Sequence, residues 1–206
     1  MTNCASADAR KNLLQLHSAT ELRLVLETKH WLEVADEIRQ GRCNVQRLTL
    51  AMFQGASSEA TEAVQALASA IQLDCNLEHL ALEMENLLTD QAGVALAEAL
   101  TVNSSLRMIT LTEATLGAEV YEALSDTLRV NTSLVLNHPP FESAGADVRL
   151  LESHKQMVIE QRLNKVGRGR LLVSREVTRE EWVDALHELN SHNVADSHAF
   201  QVTCLY

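Results

Sequence analysis

The stretch LEHLALEMENLLTDQAGVALAEALTVNSSL, from Leu77 to Leu106, joins a strand pattern to a helix pattern. Its first three leucines are spaced as LxxLxL, which is typical of a short strand that is buried on one face. Small and aliphatic residues then follow at helical spacing from Val94 to Leu100. The stretch ends on a leucine that opens another LxxLxL array, so it predicts one strand and one helix in a repeating unit.

The same unit recurs on both sides of this stretch. Its arrays begin at Val45, Leu77, Leu106 and Leu134, at spacings of 32, 29 and 28 residues, and an alternating strand pattern around Leu24 precedes them. One unit buries too few leucines to offset the entropy of ordering about thirty residues, so several units must stack into one continuous core. This periodicity predicts a solenoid.

Two segments resemble the leucine-rich repeat family of the ribonuclease-inhibitor type. LTDQAGVALAEALTVNSSL (Leu88 to Leu106) is similar to the family's helix, and Asn-Thr-Ser-Leu (Asn131 to Leu134) to its repeat junction. The resemblance covers residues 20–136. It implies an α/β fold, namely a short right-handed solenoid with a parallel sheet on the concave side and helices outside. It also implies a role in binding other proteins.

The turns after the strands depart from the family pattern. The family usually carries an asparagine there, and its side chain bonds the backbone of the turn. Phe53, Glu85 and Ala114 occupy those positions in this chain, and Asn86 comes one residue late. We therefore expect this asparagine ladder to be mostly lost.

The periodicity divides the chain into three parts. Residues 1–19 are predicted to form an N-terminal cap, with Leu13, Leu14 and Leu16 on a short helix. Residues 20–140 contain about four to five coils, and residues 141–206 form a helical C-terminal cap. Such caps are needed because a terminal repeat would otherwise expose its core.

Two helices are predicted within the C-terminal cap. The second follows a capping box between Thr178 and Glu181. The first spans residues 143–166 and is indicated by the apolar residues Val148, Leu151, Met157, Val158, Ile159 and Leu163.

The charge distribution limits the classes of partner. The formal net charge is −11, and up to Arg149 there are twenty acidic residues against ten basic ones. An acidic surface repels phosphate groups, so we expect no nucleic acid or membrane partner and a protein partner of basic character. The chain carries no long apolar run and no secretory h-region at its start, which predicts a cytoplasmic or nuclear location. Reduced thiols at Cys43 and Cys75 are then favoured over a disulfide, although the repeat register would bring the two near each other.

Residues between the strand leucines should face outward on the concave side, because side chains alternate along a strand. Arg47, His79 and Met108 should then lie side by side and combine a cation, an imidazole and a flexible apolar side chain. The alternative is an ordinary solvated sheet face. The predicted partner-binding set is Arg47, Thr49, His79, Ala81, Glu83, Met108, Thr110 and Thr112.

Signals for catalysis or for a cofactor are weak. His187, His192, His198 and Cys204 are metal-ligand types, but gaps of five or six residues do not place two of them on one helical face. No GxSxG nucleophile motif occurs. We expect no catalytic, cofactor or metal site, and a monomeric or weakly self-associating protein. The alternatives are an enzyme or metal protein that uses these histidines, or a self-associating structural module.

Overall fold

The computed structural model of this 206-residue chain alternates strands and helices. The structure describes residues 3–4, 16–52, 57–73, 76–84, 88–112, 116–138, 141, 147–165, 183 and 187. Several predicted features lie outside these residues: Leu13, Leu14, Phe53, Cys75, Glu85, Asn86, Ala114, the capping box, His192, His198 and Cys204.

The described strands form one parallel sheet whose order follows the chain. The strands are β1 (Asn3–Cys4), β2 (Glu21–Leu26), β3 (Arg47–Met52), β4 (His79–Glu83), β5 (Met108–Thr112) and β6 (Val135–Asn137). The helices are α1 (Thr28–Arg39), α2 (Ser57–Ile71), α3 (Asp90–Val102), α4 (Ala118–Val130) and α5 (Val148–Lys165). Each helix from α1 to α4 connects two neighbouring strands and packs against the next helix. The fold is an α/β solenoid of repeated strand–helix units, as the periodicity predicts.

The strand leucines form the core between the sheet and the helices. Leu80 and Leu82 of β4 are at most 1% exposed, whereas the side chains between and beside them are half-buried. The same register continues across the sheet, and each such buried side chain contributes about 1.5 to 3 kcal/mol relative to exposure. One layer of this core consists of Leu22, Leu48, Leu80, Ile109 and Leu136.

Helices α3 and α4 approach each other closely at Gly93. A Cβ atom added there would lie 2.7 Å from Val120 Cγ2 and 2.8 Å from Val120 Cγ1. These distances are shorter than a normal van der Waals contact. The absence of a side chain at Gly93 therefore allows the two helices to pack.

Replacing Gly93 with alanine is expected to lower the free energy of unfolding by about 1 kcal/mol, because the new methyl group overlaps Val120. An exposed helical position would instead gain about 1 kcal/mol from the same change. Urea unfolding of Gly93→Ala, Val120→Ala and the double variant tests this. If Gly93→Ala is no better tolerated when Val120 is truncated, the overlap is not the cause.

Asparagine side chains bond the junctions between the helices and the following strands. Asn103 donates to the Ile71 carbonyl at 2.6 Å and accepts from the Leu106 amide at 2.7 Å. Asn131 donates to the carbonyls of Leu100 and Asn103, both at 2.9 Å. An asparagine ladder is thus present at the helix-to-strand junction, whereas the family pattern places the asparagine in the turn after each strand.

Helix α5 continues this ladder and covers the last strand. Asn164 donates to the Leu128 carbonyl at 2.9 Å and to the Asn131 carbonyl at 3.1 Å. Gln161 donates to the Leu136 carbonyl of β6. A free strand edge is a template for pairing with another chain, so these side chains protect the end of the sheet.

The helix predicted over residues 143–166 is present in the described residues as α5, but its apolar residues do not form its buried face. Val148 is 76% exposed, and of the apolar residues that indicate the helix only Met157 is buried. At the start of α5 the Asp147 carboxylate accepts from the Leu150 amide at 2.7 Å. The buried face is mostly polar because it must bond strand carbonyls and α4 side chains; it consists of Ser153, Met157, Glu160, Gln161 and Asn164.

Charged pairs hold this polar face against α4. Arg149 donates to both carboxylate oxygens of Glu122 at 2.9 Å, and Arg129 donates to the buried Glu160 at 2.9 Å. Bidentate and charge-assisted bonds of this kind are stronger than neutral ones. The arginine bonds lower the pKa of Glu122 and raise the pKa of Arg129 and Arg149.

The N-terminal segment contributes a short strand that the sequence does not indicate. Asn3 and Cys4 form β1 and pair with Arg23 and Leu24, so they extend the sheet. Leu16 lies in a turn and is fully buried. Two residues are too few to show a period, so β1 has no signal in the sequence.

Candidate functional site

The sheet face opposite the helices, here called the concave face, presents its side chains in register. Its first row runs across β2 to β6 and consists of Glu21, Arg47, His79, Met108 and Val135. The repeat alignment predicts that Arg47, His79 and Met108 are neighbours, and the pairing places them so. Adjacent strands lie about 4.8 Å apart, so Arg47 and Met108 start about 10 Å apart on the sheet.

The middle row is built mainly from small side chains. Thr49, Ala81 and Thr110 occupy successive strands and are half-buried. Among the described residues, the hydroxyls of Thr49 and Thr110 have no hydrogen-bond partner. This row forms a low floor on which another polypeptide backbone could approach the sheet.

An ion pair that the sequence pattern does not reveal joins Arg23, at the β2 end of the middle row, to Glu83 of the third row, which consists of Val25, Ala51, Glu83 and Thr112. Arg23 on β2 donates to Glu83 on β4 at 2.5 Å, reaching across β3. The register places Ala51 next to Glu83, and Ala51 is only 7% exposed. Of the predicted binding residues in this row, Glu83 is therefore engaged within the protein, and Thr112 donates to the Leu82 carbonyl at 3.2 Å.

Arg47 is the most accessible cation in the first row. Its side chain is 60% exposed and faces Glu21 of the neighbouring strand at 3.9 Å, the outer limit for an ion pair. Such an exposed pair contributes about 0 to 1 kcal/mol. Arg47 can therefore exchange Glu21 for another carboxylate at little cost.

The opposite end of the first row is apolar. Met108 and Val135 are register partners and both are half-buried. The Asn137 amide donates to the Met108 sulfur at 3.5 Å. Because methionine is flexible and polarizable, this end can adapt its shape to an apolar side chain.

A cluster of rings lies beside the sheet, between α4, α5 and the segment after β6. The His154 ring stacks on Phe141 with centroids 4.2 Å apart and meets the edges of Tyr121 at 5.1 Å and His138 at 5.4 Å. Burial, reinforced by the nearby His138, lowers the pKa of His154 to about 4. Burial also raises the pKa of Tyr121 to about 12.

Within the part of the chain that the structure describes, no three His, Cys, Asp or Glu side chains are placed to hold a metal ion. Of the C-terminal metal-ligand candidates, His187 alone belongs to that part, and it is exposed. Cys43 is buried. None of the described helices combines the length and the apolar character that crossing a membrane requires.

Comparison with known proteins finds a structural likeness at low identity. A solved structure of the tropomodulin C-terminal domain from Caenorhabditis elegans is similar to this chain. The two are 17% identical with a TM-score of 0.46, and the match covers 78% of this chain and 99% of that chain. Neither protein-family models nor curated protein sequences match this chain.

Proposed function

We propose that this protein is a non-catalytic interaction scaffold of the ribonuclease-inhibitor type, and that its concave face binds a protein partner. The observation that carries the proposal is the register of the first and middle rows. It places an exposed arginine, a histidine and a methionine along a low floor of Thr49, Ala81 and Thr110. Binding surfaces commonly combine arginine and methionine anchors in this way.

The energetics of the face favour binding over a structural role. Side chains that stabilise the sheet point to the helices, where the leucines are fully buried. Arg47, by contrast, has only a long contact with Glu21, and two floor hydroxyls have no partner among the described residues. These groups can gain contacts from a partner without losing strong internal ones. In this proposal the protein works in a reducing, cytoplasmic environment.

The proposed scaffold acts as a monomer. Self-association of solenoids commonly proceeds through an uncovered end of the sheet. In this protein α5 covers the β6 end, and its Gln161 bonds the strand carbonyl at Leu136. The two ion pairs to α4 support the same position of α5.

Substitution of the first row should remove partner binding. We expect Arg47→Glu and Met108→Asp each to weaken capture of the partner about tenfold or more, because they reverse the cation and place a charge in the apolar end. The measurement is crosslinking followed by affinity purification from the native cells, with quantification of every captured protein.

Two variants serve as matched controls. Arg39→Glu reverses an exposed arginine on α1 whose ion pair, with Asp36, is also local. Val148→Asp adds an acid at the exposed start of α5, where the helix dipole favours it. If all captured proteins bind the first-row variants as well as they bind these controls, the concave face is not the binding surface.

A further inference from the structure

We infer that the concave face recognises an extended, acidic and apolar segment of its partner, with a carboxylate at Arg47 and an apolar side chain against Met108 and Val135. This inference rests on the proposed function and adds the chemistry of the bound segment. It is based on the different character of the side chains at the two ends of the first row. One end carries the exposed arginine and the other end carries two apolar side chains.

The charges around Arg47 leave it available to a carboxylate from outside. Glu83 is paired with Arg23, and so does not compete for Arg47. Glu78 and Arg107, which precede β4 and β5, are exposed and add no net charge. Glu21 is the remaining acid of the row, and its 3.9 Å contact with Arg47 is long enough for a partner carboxylate to replace it at bonding distance.

The distances between Arg47 and the apolar end of the first row favour an extended partner segment. Met108 lies about 10 Å and Val135 about 14 Å from Arg47, as two and three strand separations. In an extended chain, residues i and i+4 share one face and are about 13 Å apart. A carboxylate at i and an apolar side chain at i+4 therefore reach both ends of the row, with the side chain at i+2 above His79.

The middle row provides contacts for the backbone of such a segment. The hydroxyls of Thr49 and Thr110 can each donate or accept a hydrogen bond. An extended backbone has unpaired amide and carbonyl groups to offer, whereas the backbone groups of a helix are already bonded within the helix. Ala81 between them keeps the floor low.

The chain's net charge of −11 is compatible with this local preference. Net charge acts on a partner at long range and is screened beyond about 8 to 10 Å in physiological salt. Contacts within the row depend on the side chains that touch. A partner of basic character can therefore still present an acidic segment to Arg47.

The test uses a phage-displayed library of random 12-residue peptides selected on the full chain. We expect enriched peptides to carry Asp or Glu four residues from Leu, Ile, Phe or Met. A synthetic peptide of the enriched sequence should bind Arg47→Gln about fivefold more weakly by fluorescence anisotropy, since one charge-assisted contact is lost. Arg47→Gln avoids the repulsion with Glu21 that Arg47→Glu introduces, so a loss of folding does not obscure the result.

The same experiment separates the failure of this inference from that of the proposed function. Arg39→Gln and Val148→Asp should bind the peptide within about twofold of the unaltered chain, because both sites lie on helices away from the concave face. Enriched peptides that depend on Met108 but are basic or uncharged would overturn the acidic segment and leave a concave binding face. Enrichment only of peptides indifferent to Arg47 and Met108, or of none, would overturn both.

Discussion

Replacing Asn131 with alanine is expected to lower the free energy of unfolding by about 2 to 3 kcal/mol, as measured by urea unfolding. The side chain is buried, and its amide donates to the carbonyls of Leu100 and Asn103 at 2.9 Å. Its own oxygen accepts from the Ser133 hydroxyl at 3.0 Å. Alanine leaves these carbonyls without that donor in a site where water cannot easily replace it, which is why the expected loss exceeds that of an exposed hydrogen bond.

Asn44 provides the matched control for this prediction. It lies at the helix-to-strand junction before β3, one residue before Val45, and donates to the His17 carbonyl at 3.0 Å, but its side chain is exposed. Asn44→Ala should therefore cost less than about 1 kcal/mol, because water can bond the released carbonyl. Equal losses in the two variants would show that burial of the ladder does not determine its contribution.

The strands and the order of the sheet could be predicted from the sequence because the leucine period repeats four times. Each LxxLxL array has the same physical cause, namely a strand with one face buried, so independent repeats reinforce one another. The shortest strands are harder to predict. β6 was indicated by Leu134 and Leu136, whereas β1 consists of two residues and carries no periodic signal.

The asparagine ladder could be predicted only in part. The tetrapeptides Asn-Ser-Ser-Leu and Asn-Thr-Ser-Leu, at Asn103 and Asn131, mark the junctions. Their role was not evident, because each amide bonds carbonyls of the preceding coil and those partners are some thirty residues distant in sequence. Asn164 completes the series without any such tetrapeptide.

The spacing of apolar residues predicts that α5 is a helix but not which of its faces is buried. The buried positions of α5 do follow a helical period, but four of the five are polar. Those side chains bond strand carbonyls and the charged residues of α4, which is a requirement of the end of the array and not of the helix alone. The sequence of α5 alone therefore does not predict which of its side chains are buried at the end of the solenoid.

The concave face, too, could be predicted only in part from the sequence. The neighbours in its first row follow from the repeat register, so Arg47, His79 and Met108 could be identified. The pairing of Arg23 with Glu83 could not, because it crosses an intervening strand and joins two different rows. Identifying which outward residues remain available to a partner required the side-chain positions.

Lowering the pH from 7 to 5 is expected to reduce the free energy of unfolding by about 1 to 2 kcal/mol through His154. Burial lowers the pKa of this histidine from 6.5 to about 4. In the unfolded chain His154 therefore takes up its proton near pH 6.5, whereas in the folded chain it does so only near pH 4. The stabilisation is fully present above pH 6.5 and is lost as the pH falls through this window.

The ring cluster explains the direction of this shift. A charged imidazole at His154 would lose hydration, would lie 5.4 Å from the His138 ring, and would still stack on Phe141. Within the described residues its Nε2 atom is buried without a hydrogen-bond partner, so no acceptor stabilises the added proton. His154 is only half-buried, so solvent screens part of the effect and the expected loss is smaller than for a fully buried histidine.

Urea unfolding of His154→Phe at pH 7 and pH 5 isolates this contribution. Phenylalanine keeps the stacking with Phe141 and removes the titration, so the variant should lose about 1 to 2 kcal/mol less than the unaltered chain over this range. His79→Gln removes a histidine from the concave face and should keep the original pH dependence, since His154 remains. The pKa of Glu37 and Glu122 is lowered by their arginine partners, which confines their loss of stabilisation to pH values below about 4.5. An unchanged fall in His154→Phe would therefore assign the pH dependence to groups other than His154.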